Sequence, residues 1–375
     1  MKISQILLIL TCALLLSCQS KKVLETPPVN LDPLPTKIEH TEGEDPGYEQ
    51  QWNLIAIDAP ATWEKYPTSS KAVKVMLIGT GIDYNHEDLR ANVYVNHQEL
   101  QQVNTNKGTP FNKIDDDNDG LVDNIVGWDY VDNDGLAYDK YGYDTYLAGV
   151  IGAVHGNGKG IKGIMKKITL YPVRYIDANG QSNIPTLFRA LNHVLDVRPD
   201  IVHLNLISLK LSRNIDVQNI EIYSIHSVLN KIEKLGIPII IGAGNIQTEF
   251  GIDVIDKIFT SYDNILIVTS IDKENTKPDL ANYSPRYVHT TAPGQSIYTT
   301  APHNQYKIVS STHLAAAHVT AAIAYAISEY GTEKNYKDYF QALQNDDAST
   351  PLPKLKHYVA GRNTLNLLKF LDYLK

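Results

Sequence analysis

"VKVMLIG", Val73 to Gly79, is apolar at every position but Lys74 until it stops at a glycine. Four more runs resemble it: "KITLYPVRYI" (167–176), "DIVHLNLI" (200–207), "IPIIIGAG" (237–244) and "NILIVTSI" (264–271). Each is short, apolar nearly throughout and bounded by turn residues. A strand with one wet face alternates apolar and polar residues. A continuous run marks a strand buried on both faces, as in a parallel sheet covered by helices. Between these runs, "IPTLFRALNHVLDVR" (184–198) and "YSIHSVLNKIEKLG" (223–236) repeat their apolar residues at helical spacing. The alternation predicts a doubly wound α/β domain from Asp45 to the end of the chain.

Upstream, "ETPPVNLDPLPTKIEHTEGE" (25–44) is polar, proline-rich and without apolar period, so residues 18–44 read as a tether. The chain opens "MKISQILLILTCALLLSCQS". One lysine precedes an apolar run that is short for a membrane span and built like an export signal, assigned to residues 1–17. The only cysteines are Cys12 and Cys18. Cleavage before Cys18 leaves one cysteine, and no internal disulfide can form. The composition, 43% hydrophobic and 20% charged over 375 residues, is that of a globular protein. A net charge of −8, with no basic stretch interleaved with aromatics, argues against a nucleic-acid partner.

One local pattern points to a cation. Asp115, Asp117, Asp119, Gly120 and Asp123 spell D-x-D-x-D-G-x-x-D. Alternating carboxylates around a turn that a glycine can make sharp suit a hard cation such as calcium, with the Leu121 carbonyl as a further donor. The twelfth position of an EF-hand would be glutamate; here it is Val126, so the loop is not one. Asp116 adds like charge.

Two resemblances extend this reading. Leu15-Leu16-Ser17-Cys18 resembles the bacterial lipobox. It implies an exported protein lipidated at Cys18 and anchored to a bacterial membrane as a lipoprotein. A larger set of blocks, in order, resembles the subtilisin-like serine peptidases (subtilases, peptidase family S8). These are "QWNLIAIDAPATWE" (51–64), "VKVMLIGTGIDYNHEDL" (73–89), the acidic loop (112–134), "YDTYLAGVIGAVHGNGKGIKGI" (143–164), "IIIGAGN" (239–245), "ANYSPRYVHTTAPGQSI" (281–297), "SSTHLAAAHVTAA" (310–322) and "GRNTLN" (361–366). The resemblance implies a three-layer α/β sandwich around a mostly parallel sheet, and structural calcium.

The chemistry of that family needs a Ser hydroxyl that attacks, a His that moves the proton and an Asp that orients the His. Carried over position by position, the Asp place is Gly79, the His place Tyr143 and the Ser place His313. The oxyanion-stabilising amide is matched by Asn245. The strand end beside the substrate is altered, with Asn205 at a Ser position and Ile207 at a Gly position. The expectation is a domain without peptidase activity, acting as a binding or scaffolding module for a peptide or envelope protein. The alternative is a serine-type endopeptidase or other hydrolase with an atypical centre drawing on Ser311, His313 or Asn245.

Overall fold

A computed structural model describes residues 33–36, 42–67, 72–101, 111–207, 209 and 211–375. Cys18 and the proposed signal segment lie outside them. The five apolar runs form β1 (Lys74–Gly79), β3 (Thr169–Arg174), β4 (Ile201–Leu204), β5 (Ile239–Gly242) and β6 (Ile265–Ile271). Four short strands complete the sheet: β2 (Trp128–Asp129), β7 (Thr290–Pro293), β10 (Ser349–Pro351) and β11 (Asn363–Leu365). The order is β10-β11-β7-β6-β5-β4-β1-β3-β2, and only β10 and β11 pair antiparallel. Strands β8 (Ile297–Ala301) and β9 (Gln305–Val309) make a separate hairpin. Among the described residues the sheet is therefore mostly parallel, as the continuous apolar runs require.

Helices cover both faces. In chain order they are α1 (Trp52–Ala56), α2 (Ala59–Lys65), α3 (His97–Gln101), α4 (Tyr143–Gly152), α5 (Ile184–Val197), α6 (Ile215–Lys234), α7 (Val254–Phe259), α8 (Thr312–Tyr330), α9 (Tyr336–Leu343) and α10 (Leu367–Leu374). Alternate residues of one strand serve opposite cores. Val75 and Leu77 of β1 pack with α1, α2, α4, α8, α9 and α10, while Met76 and Ile78 pack with α5, α6 and α7. Strand periodicity thus produces the three layers.

Helix α8 is buried on every side from Thr312 to Ser328. Its alanines at 315, 316, 317, 321, 322, 324 and 326 let the backbone lie close on β4 to β7. An all-round apolar helix can be stable only inside a core. His318 sits in that core with both ring nitrogens matched, Nδ1 at 2.8 Å from the Leu314 carbonyl and Nε2 at 2.9 Å from the Asn53 amide.

The first and last helices hold one another. Leu367 N–H donates to the Ile57 carbonyl, Asn366 Nδ2 donates to Asp58 Oδ2 at 2.6 Å, and Lys65 and Tyr66 both reach Asp372. Leu34–Lys375 forms one compact body. Contacts begin upstream of Asp45, within the stretch read as tether. Thr36 N–H donates to Asn85 Oδ1, Asn85 Nδ2 donates to the Leu34 carbonyl, and Gly43 N–H donates to the Gly156 carbonyl.

Gly149 shows how tightly α4 is seated. A Cβ there would stand 2.6 Å from Thr299 Oγ1 and nearer still to Thr300 Oγ1. Gly149→Ala is expected to lower stability by about 1–3 kcal/mol through overpacking. Thermal unfolding checks this; an unchanged midpoint would mean that α4 has room to move off β8.

Candidate functional site

The carboxyl ends of β1, β4 and β5 meet the amino ends of α4 and α8. In parallel α/β sheets this is the edge where side chains and loops converge on ligands. The start of α4 is fixed by Asp139, which accepts N–H bonds from Tyr141, Gly142 and Thr145. The start of α8 is fixed by the loop after β5. Gly242 lies against the backbone of Thr312 and His313, where any Cβ would come within 2.7–2.8 Å. Asn245 Oδ1 accepts Thr312 N–H at 2.9 Å, and Thr312 Oγ1 accepts Gly244 N–H at 2.8 Å.

Gly79 ends β1, and its carbonyl accepts N–H bonds from Tyr175 and Ile176. The volume that a side chain at 79 would occupy is filled by the Asp144 carboxylate. Asp144 Oδ2 accepts Thr80 N–H at 2.8 Å, and Oδ1 accepts Asn205 Nδ2 at 2.7 Å. Burial first, and the charge of Asp139 second, push its carboxyl up to about 8. The site therefore keeps a buried carboxyl group at the end of β1, supplied from α4.

Tyr143 is the first residue of α4. Its ring meets His313 edge-on at 5.8 Å and stacks beside Tyr141 at 6.5 Å. Its hydroxyl is paired with Ser311 Oγ. Burial pushes the Tyr143 phenol up to about 12, so it is a weak base at neutral pH. Ser311 is the N-cap of α8: its Oγ accepts His313 N–H at 3.0 Å and Asn245 Nδ2 at 3.1 Å. Among the described residues no partner of Ser311 is an imidazole ring. His313 is buried, and burial alone lowers its imidazole to about 4, which leaves it neutral. Its Nδ1 has no partner.

Asn245 therefore spends both ends of its amide on α8, one on Thr312 N–H and one on Ser311 Oγ. Of the two residues read as the altered wall, only Ile207 lines the cleft. Asn205 is fully buried and turned to Asp144. The cleft holds about 630 Å³ and is lined by Tyr141, Tyr143, His313, Ile207, Leu209 and Ile246, with Asp253 and Asp256 also in its lining.

In the acidic loop the structure brings Asp115 and Asp117 together, and adds Glu99 of α3. One carboxylate oxygen from each lies within 4.8 Å of the others. Asp119 is drawn elsewhere, accepting Leu121 N–H and Asn124 Nδ2. Asp123 is capped by Asn112 N–H and Lys113 N–H. Glu99 Oε2 is buried without a partner, an orphaned acceptor facing two carboxylates. Three hard oxygen donors with one unsatisfied lone-pair set fit a calcium-type cation.

Asp144 and Glu99 are the functional candidates that residue patterns missed, whereas Ser311 was named only with the alternative hydrolase reading. The signal for Asp144 lay in the pairing of an acid with a glycine far away in the chain, visible only once β1 and α4 touch.

Comparison with known proteins places this geometry in a family. The profile described as the subtilase family (Peptidase_S8) matches residues 70–358. "Subtilisin-like protease 1" of Plasmodium berghei (strain Anka) is 29% identical over 313 residues, covering 79% of this chain and 49% of its own. The protein of the same name from Plasmodium falciparum (isolate 3D7) is 29% identical over 325 residues, 80% of this chain and 43% of its own. "Thermitase" of Thermoactinomyces vulgaris is 24% identical over 288 residues, 77% of this chain and 86% of its own. The chain spans about half the length of the Plasmodium relatives it matches.

Two outcomes follow for Asp144. Gly79→Asp drives a second carboxylate into the first, so its cost should exceed the about 1–3 kcal/mol of ordinary overpacking. Adding Asp144→Gly should recover most of that loss; additive effects in urea unfolding would show that the two positions do not share space. The second concerns pH. A carboxyl whose value rises from 3.8 unfolded to about 8 folded binds its proton more tightly in the folded state. Its stabilisation is full below about pH 4 and is lost as pH climbs through 8. Asp144→Asn should flatten the fall in stability between pH 5 and pH 8, measured by urea unfolding across that range.

Proposed function

The chain belongs to the subtilase family, and from that premise we propose that it is a member that binds peptides without cleaving them. The carrying observation is the Asp144 carboxylate lodged at the Gly79 position, together with a Ser311 hydroxyl that has no imidazole partner among the described residues. Acyl transfer needs a nucleophile, a base that shares its proton and a group that orients the base. Here the His place holds a phenol pushed up to about 12, and the Ser place holds an imidazole that cannot form an acyl-serine. Loss of the triad in a subtilisin costs on the order of a millionfold in turnover. The cleft nevertheless persists, walled by apolar side chains that suit an extended peptide.

A second reading has one observation in its favour: Ser311 Oγ touches both Tyr143 Oη and Asn245 Nδ2, a possible nucleophile with a phenol and an amide donor beside it. Against it, Ser311 Oγ caps α8, and Tyr143 holds its proton tightly.

The proposal extends to place and cofactor. The lipobox-like Leu15–Cys18 supports export and a lipid anchor at Cys18 on a bacterial membrane, with an envelope protein or peptide as partner. Among the described residues no helix is long and apolar enough to cross a membrane. The acidic loop supports a structural calcium ion, which would tie the loop to the body without entering any chemistry.

The test is hydrolysis beside binding. The full chain, in detergent with calcium, is incubated with a fluorogenic peptide library and a fluorophosphonate probe. The expected result is no turnover and no labelling, together with saturable peptide binding that Ile207→Asp weakens at least about tenfold. Turnover that disappears in Ser311→Ala or His313→Ala would overturn the reading.

A further inference from the structure

We infer that the cavity beneath the amino ends of β6 and β7 binds a small organic carboxylate with an apolar body. It lies at the edge of the sheet opposite the cleft, shares no lining residue with it and does not rest on the peptide-binding reading.

Strands β5, β6 and β7 run parallel, so their carboxyl ends share the edge of the cleft and their amino ends the opposite edge. The cavity there holds about 690 Å³, the size of a small-molecule site. Phe259, at the end of α7, belongs to one core, and Phe340 of α9 belongs to the other; both line the cavity. Ile265 and Ile267 of β6 add to this apolar lining. The loop into β7 brings Arg286, Tyr287 and His289 to the same space, and His289 N–H donates to the Ile267 carbonyl at 2.9 Å.

The charged groups of the lining are Arg286, Lys337 and Asp263. Among the described residues neither cation makes an ion pair, with Asp263 or with any other acid. In a chain of 42 acidic and 34 basic residues, two cations that find no acid yet line one cavity leave it a positive balance. The Arg286 guanidinium lies 4.9 Å from the centre of the Tyr287 ring, a contact that restrains it. His289 supplies a third donor. Its Nδ1 accepts Ile267 N–H at 3.0 Å, and burial lowers the ring to about 4, so it is neutral at pH 7. The one proton of that ring then sits on Nε2, which has no partner among the described residues. A guanidinium, an ammonium and an imidazole N–H suit the two oxygens of a carboxylate, which a guanidinium can hold in a fork. Asp263 disfavours a doubly charged anion such as phosphate. The phenylalanine and isoleucine side chains reward an apolar body behind the charge.

Calorimetric titration of the full chain with phenylacetate and with hexanoate tests the assignment, beside phenylacetamide and inorganic phosphate. Arg286→Gln and Lys337→Gln are titrated in parallel; both side chains are exposed, so neither change disturbs the core. Lys307→Gln, on the β8–β9 hairpin, removes a charge outside the cavity. The expected result is saturable binding of at least one carboxylate, weakened at least about tenfold in Arg286→Gln and measurably in Lys337→Gln, and unchanged in Lys307→Gln. Phenylacetamide, which keeps the ring and loses the charge, should bind at least about tenfold more weakly than phenylacetate. The same carboxylate should raise the thermal midpoint of the unaltered chain and not that of Arg286→Gln. No saturable binding of either carboxylate up to about 10 mM would overturn the proposal. So would phenylacetamide or phosphate binding as tightly as phenylacetate, an affinity unchanged in both Arg286→Gln and Lys337→Gln, or an equal loss in Lys307→Gln. None of these results touches the peptide-binding proposal, which hydrolysis and cleft variants decide.

Discussion

The seat of α8 on the ends of β4 to β7 is the constraint on which the molecule depends. A helix buried from Thr312 to Ser328 has no wet face to fall back on, so its start must be placed by the sheet. Gly242 provides the close approach, because no side chain stands between the end of β5 and the backbone of Thr312 and His313. Asn245 and Gly244 then tie the first turn by side-chain and backbone bonds. The two apolar layers, the cleft and the tyrosines around His313 all take their positions from this junction. The junction works as architecture whether or not a nucleophile sits on it.

The same reasoning applies to the buried acid. A carboxyl at the end of β1 accepts Thr80 N–H and Asn205 Nδ2, two donors that would otherwise be buried and unmatched. Here it is supplied from α4. This placement removes the geometry in which an acid orients an imidazole, since Asp144 follows Tyr143 directly on one helix and its carboxylate is taken up by Thr80 and Asn205. The hydrogen-bonding needs of the buried end of β1 are met at this point.

How far the sequence could be read depended on the range of the interaction. The five central strands announced themselves because burial on both faces writes a continuous apolar run in adjacent residues. Strands β7, β10 and β11 run to three or four residues and carry threonine, asparagine and proline, so no local run marked them. Helix α6 begins at Ile215, eight residues before the apolar period expected from Tyr223, because its first turns are capped by Asn214 and not packed on the core. The acidic loop was visible as spacing. Glu99 was not, since it reaches the loop only once Asn96, bonded to Asp117 and Asn124, brings the start of α3 against it. Gly79, Tyr143 and His313 could be located by position in a pattern, whereas the Asp144 carboxylate filling the space beside Gly79 shows only in three dimensions.

One feature of the fold bears on how the chain is made. The α1–α2 segment holds the final helix through Ile57, Asp58, Lys65 and Tyr66, with partners such as Asp58 and Asn366 separated by 308 positions. Strand β11 enters the sheet between β10 and β7, again from the last residues. A chain emerging from its amino end cannot close this body until nearly all of it has been synthesised. Pairings of such long range raise the entropic cost of reaching the native topology and slow its formation. A delay of this kind keeps a polypeptide longer in the unfolded state. The contact between α1–α2 and α10 therefore acts as a timer, holding back completion of this domain until residues 363–374 have been made.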